Sequence, residues 1–295
     1  NDKVMNIEQV QGILEYIPTK DEKHALRKYM TTSNKDSADA FDELCECEKF
    51  MVAMMTVKHS KEKVRALLFK LQFRQCVSDL DADVSMVEKA CDELKNSSRL
   101  RKLLGIVLNI GNRLNTAGPT KKGKAGAFTI DSLLKLNQAK AFDKKTTFLQ
   151  YIVLIVLRHN SSLADFADDL PSVLKADKIY WDQIESDLEE VENQLENVRK
   201  IALHEVFGKR KRKGDDDDIS QNSMSLEQEV EALRSTKIGI FTLQAIKIVS
   251  ALRESVESTR SKFKKLLQYF GEDDNKKMNP HELFEIMSIF AKDFG

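Results

Sequence analysis

The sequence predicts an all-α protein on three observations. Apolar residues return at three- and four-residue steps almost throughout, only four prolines and eleven glycines interrupt them, and strand-like alternation has almost no support. At 295 residues the chain can bury one large core or two modest ones.

Pro18 is expected in the first turn of a helix, with Thr19 and then Asp21-Glu22 placing acids near the positive end of the dipole. Phe41, Leu44 and Phe50-Met51 lead into a helix whose apolar face includes Met54 and Met55. Another runs from Lys61 through Val64, Leu67, Leu68, Leu71 and Phe73. The six basic residues between Lys58 and Arg74 read as its solvated side rather than as a binding surface.

Val87, Cys91 and Leu94 run on into Leu100, Leu103, Leu104, Val107, Leu108 and Ile110. That stripe is broad enough to be buried on more than one side. Gly111 is expected to end this helix, and Asn112 and Asn115 to satisfy backbone groups freed in the turn. From Ile184 the apolar positions Ile184, Leu188, Val191, Leu195, Val198 and Ala202 alternate steps of four and three, a heptad seam. A second, less regular series from Leu226 to Val256 offers that seam a partner, which predicts an antiparallel arm. Between them, Gly208 to Ser220 carries five bases and then four acids, read as a mobile solvated loop at or near the arm's tip.

Charge excludes some functions. Acids and bases cancel at 47 each, so no global field draws the chain to nucleic acid or to a lipid surface. Local patches remain. Lys121 to Lys145 holds seven lysines against two acids, and Asp165 to Glu196 holds eleven acids against two lysines. The four cysteines, Cys45, Cys47, Cys76 and Cys91, form no framework with short loops and read as free thiols. No apolar run reaches bilayer length and no signal peptide opens the chain, so the reading is a soluble intracellular protein without membrane insertion.

Several motifs mislead. Gly118 to Lys124 has the glycines and lysine of a phosphate loop, but Ala125 follows where a hydroxyl is needed and a helix precedes where a strand is required. Gly271 to Asn275 suggests a calcium loop, yet Met278 and Phe284 fall where a glycine and a bidentate acid belong. The histidines His24, His59, His159, His204 and His281 are dispersed, and no catalytic constellation emerges. The expectation is no enzyme, no metal and no cofactor. Trp181 at the root of the heptad helix is read as packing.

Gly111-Asn112-Arg113-Leu114-Asn115, followed past a Gly/Lys loop by Phe128 and Leu133-Leu134-Lys135-Leu136, resembles the signature of the formin homology 2 domain. The likeness extends to Asp42-Glu43-Leu44 with Glu48-Lys49-Phe50, to Arg65 through Lys70, to Asp143 through Leu149 with Tyr151, and to Tyr269 through Asp273 with Glu282-Leu283-Phe284. It covers essentially the whole chain.

The resemblance implies an elongated helical rod of knob, coiled-coil and post regions. On that map residues 1–56 are a knob remnant, 57–95 connecting helices, 96–175 the post, and 176–295 the coiled-coil arm and C-terminal helices, with the charged loop at 208–223. Two such rods would join head to tail around the barbed end of an actin filament, nucleating it and stepping with each added subunit, in the cytoplasm and its cytoskeleton.

The resemblance further implies actin contacts at Lys140 and Lys135, and capture of a second subunit's N-terminal lasso at Gly111, Asn112, Leu114 and Asn115. Profilin-actin would be reached only indirectly, through a region upstream. The family's lasso, linker and first knob helix lie before the point where the likeness begins, so the chain is expected to dimerise and nucleate poorly as it stands. Asn137-Gln138 replaces a frequent acid. The alternative reading is a helical scaffold or coiled-coil adaptor without actin activity.

Overall fold

The computed structural model describes residues 5–32, 37–117, 123–140, 145–210, 225–272 and 278–295. Among them the chain is helical nearly everywhere, and the extended pairing is one isolated antiparallel bridge between Lys140 and Thr147. The first helices are α1 (Ile7–Glu15), α2 (Lys20–Thr32), α3 (Ser37–Asp42), α4 (Glu46–Thr56) and α5 (Ser60–Asn96). There follow α6 (Ser98–Ala117), α7 (Ser132–Lys135) and α8 (Phe148–His159), then a 3-10 segment (Ser161–Asp169) and α9 (Val173–Ala176). The last are α10 (Trp181–Arg210), α11 (Leu226–Arg234), α12 (Lys237–Phe270) and α13 (Pro280–Phe294).

Helix starts follow local chemistry. Asn6 with Gln9, Thr147 with Gln150 and Ser225 with Gln228 form capping boxes, each satisfying two backbone donors that a helix start leaves free. Thr19 and Glu22 do the same for α2, so Pro18 lies outside the helix and not in its first turn. The helix expected without a break from Val87 to Ile110 is two helices. Ser97 divides them: its hydroxyl accepts the Leu100 amide at 3.0 Å and donates to Asp169 at 2.9 Å, which starts α6 afresh.

Packing divides the chain into two units, one of Asn1–Ser78 with Glu189–Ala251 and the other of Asp79–Leu188 with Leu252–Gly295. In the first, Val191, Leu195, Val198 and Ala202 of the heptad seam are buried. Arg199 of α10 donates through Nε and Nη2 to both carboxylate oxygens of Glu229 in α11, a two-pronged bond that fixes their register. The apolar face expected on the helix after Lys58 joins this packing, and two of the six bases read as its solvated side are engaged as well. Its Phe69 and Phe73 meet Phe241 of α12 with centroids 6.2 and 5.4 Å apart, its Lys70 lies over the Phe241 ring, and its Lys63 pairs with Glu205.

In the second unit α13 is central, with nine of its fifteen residues buried against α7, α8, α9 and the 3-10 segment. Phe166, Phe290 and Phe294 form its aromatic knot, with centroids 5.4 to 5.8 Å apart. Asn137 donates to Asp293 of α13 at 3.1 Å, so an acid at position 137 would face a carboxylate. Trp181 is buried, and its indole N–H donates to Glu185 at 2.9 Å, the packing role expected of it. The charged stretch 211–224, most of the phosphate-loop look-alike at 118–122 and the acids at 273 and 274 lie outside the described residues.

Candidate functional site

The site is built on α6. Leu100, Leu103 and Val107 of its broad apolar stripe are buried, as one packed face requires. The remaining breadth is not a second packed face. Leu104, Gly105 and Leu108 floor an open cleft of about 220 Å³, all within the second unit. Gly126, Ala127 and Phe128 line it from the loop after α6, and Tyr269 and Phe270 line it from the end of α12.

The loop that walls the cleft is held at both ends. At one, the Asn112 side chain makes a reciprocal pair with Ala125: its amide donates to the Ala125 carbonyl at 2.9 Å, and its oxygen accepts the Ala125 amide at 2.8 Å. At the other, the Glu272 carboxylate, itself buried, accepts the Ile130 amide at 2.7 Å. Gly271 allows this by taking φ +72°, a turn that side chains disfavour. Arg101, which also lines the cleft, donates through Nε to the Tyr269 hydroxyl at 2.8 Å with its guanidinium near that ring.

Two sequence expectations need correction here. Gly111 does not end the helix, because α6 continues to Ala117. Asn112 satisfies backbone groups, but those of a loop thirteen residues on and not of its own helix end. Gly111 is half-buried, and a Cβ added there would meet nothing within 4 Å. Leu114 is 55% exposed and Asn115 is exposed too. The cleft residues Leu104, Gly105 and Tyr269 were not singled out as a site, since nothing in linear order shows that α12 ends beside α6.

Lys135 closes α7 and Lys140 follows five residues later, both exposed. The backbone around Lys140 is fixed by hydrogen bonds on either side. The Ala139 carbonyl accepts the Phe148 amide at 2.8 Å, the Leu136 carbonyl accepts the Leu149 amide at 3.0 Å, and Lys140 itself pairs with Thr147. Among the described residues, no group of three or more histidines, cysteines or acids could hold a metal, and no helix is long and apolar enough to cross a membrane.

The family model of the Formin Homology 2 Domain matches residues 1–295. Formin-like protein 5 of Oryza sativa subsp. japonica is 29% identical over 269 residues, 91% of this chain and 15% of that protein. Protein diaphanous homolog 3 of Homo sapiens is 31% identical over 191 residues, 65% of this chain and 15% of that protein. Formin-E of Dictyostelium discoideum is 25% identical over 286 residues, 97% of this chain and 16% of that protein. The chain thus spans about one sixth of the length of these relatives. With a helical fold and a match over its full length, it belongs to the formin homology 2 family.

Proposed function

We propose that this domain binds actin and promotes filament assembly, riding barbed ends as a head-to-tail dimer in the cytoplasmic cytoskeleton. Lys135 and Lys140 are the actin contacts. The α6 face around Gly111, Asn112, Leu114 and Asn115, with the cleft below it, receives the partner subunit's tether. Profilin-actin is delivered by other parts of a longer protein. On this reading the domain redistributes binding energy between end states and makes or breaks no covalent bond.

The observation that carries the reading is the pairing of an exposed lysine, Lys140, with a backbone pinned by the Thr147 bridge. The tether assignment draws on the open space over Gly111 and on a cleft whose loop is tied at Ala125 and Ile130. A glycine inside a helix costs about 0.5 to 1 kcal/mol relative to alanine, and no neighbour among the described residues demands one at position 111. An approaching partner backbone would.

Assembly of pyrene-labelled actin tests the proposal. The domain, extended upstream to include the family's lasso, is expected to accelerate assembly, and Lys140→Ala to remove most of the acceleration, with Lys135→Ala weaker. No acceleration in any form would favour the scaffold reading. Against that reading stands the heptad seam, whose six residues are all buried within the chain and so unavailable to an external helix.

A further inference from the structure

Helix α8 carries an apolar face that the fold leaves open. Nine of its twelve residues are apolar and none is acidic. A helix apolar all round is normally covered on every side. Here Leu149, Ile152 and Val156 are buried, and α8 packs on α6, α13 and the 3-10 segment. The other side shows Tyr151 at 49%, Leu154 at 52% and Leu157 at 50% exposure.

These residues form one stripe with a definite beginning. Thr147, Tyr151, Leu154 and Arg158 follow one another at four, three and four residues, a single helix face, with Leu157 beside them. The stripe begins at Thr147, the residue bridged to Lys140. It ends at Arg158, which is exposed. The apolar strip from Tyr151 to Leu157, about 9 Å long, therefore lies between two cations, Lys140, reached through the Thr147 bridge, and Arg158. Acids return only on the 3-10 segment, where Asp165 and Asp168 are exposed and Asp169 is paired with Arg99 and accepts from Ser97.

We propose that the open face of α8 is an apolar extension of the Lys135/Lys140 surface and docks on the same partner, actin, at a patch of apolar side chains rimmed by carboxylates. The inference rests on the actin reading above. Continuity with the lysine surface through the Lys140–Thr147 bridge and the cations at either end argue for that occupant over a second copy pairing through the same strip, which would bring Lys140 and Arg158 against their like. The lysines supply steering and the strip supplies the dry contact that slows release.

The test uses the 295-residue chain in seeded barbed-end elongation, comparing the unsubstituted protein, Leu154→Glu/Leu157→Glu and Lys140→Ala. The unsubstituted chain should slow elongation, and the double variant should need about tenfold more protein for the same effect. Its thermal melt should match the parent, because both side chains are half in solvent; Leu154→Ser/Leu157→Ser is the milder form if it does not. Equal potency of variant and parent overturns this inference and leaves the actin reading intact. A parent that leaves elongation unchanged overturns the actin reading itself. A parent that sediments as a dimer, dissociated by the double substitution without change in elongation, overturns the inference in favour of self-association.

Discussion

Asn112 shows how one side chain can define a surface it does not itself form. Its two hydrogen bonds to Ala125 hold the loop whose Gly126, Ala127 and Phe128 wall the cleft. Asn112→Ala should cost about 1 kcal/mol in urea unfolding, the usual net worth of such bonds at a partly exposed site. The Ala125 amide should exchange with deuterium faster. Asn112→Asp keeps the acceptor but turns a carboxylate towards the Ala125 carbonyl, so it should be at least as damaging; unchanged exchange in both variants would refute the tether. The motif was legible in sequence as a place where asparagine amides serve backbone groups. Which backbone was not legible, because the Gly111 signal for a helix end is outweighed by six further residues of α6 that remain helical to Ala117.

Helices were the most readable level, and their junctions the least. The heptad positions from Ile184 to Ala202 are all buried, as a seam with an intrachain partner requires. That partner is two helices, since Ser235 and Thr236 interrupt the second apolar series and Thr236 accepts the Gly239 amide at 3.0 Å to start α12. Gly239 makes the junction possible: a Cβ there would stand 2.0 Å from the Leu233 carbonyl oxygen of α11. Gly239→Ala should therefore lower stability by about 1 to 3 kcal/mol, the usual cost of forcing atoms into filled space. Gly12→Ala in α1, where a Cβ meets nothing within 4 Å, should instead stabilise by about 0.5 to 1 kcal/mol. Thermal melts of the two variants moving in the same direction would refute this account of the junction. Periodicity could not reveal it, because a close approach between two backbones leaves no mark on hydrophobic spacing.

Across the whole molecule, 47 acids and 47 bases cancel, so any electrostatic attraction to a partner must act through local groupings. The lysine-rich stretch from Lys121 to Lys145 contains Lys135 and Lys140, and the exposure of both makes them the natural carriers of such attraction. Screening offers a way to measure their share. Raising ionic strength from about 50 to about 200 mM shortens the Debye length from roughly 14 to 7 Å, so association with actin ends should slow several-fold while dissociation changes little. In Lys135→Ala/Lys140→Ala the association rate should start lower and fall far less over the same range. The strip of Tyr151, Leu154 and Leu157 carries no charge, so its loss should act on dissociation and leave the salt slope as it was. A double lysine variant with the parent's full salt slope would move the steering charge elsewhere, and the α8 face would then lose the neighbour that argues for its partner.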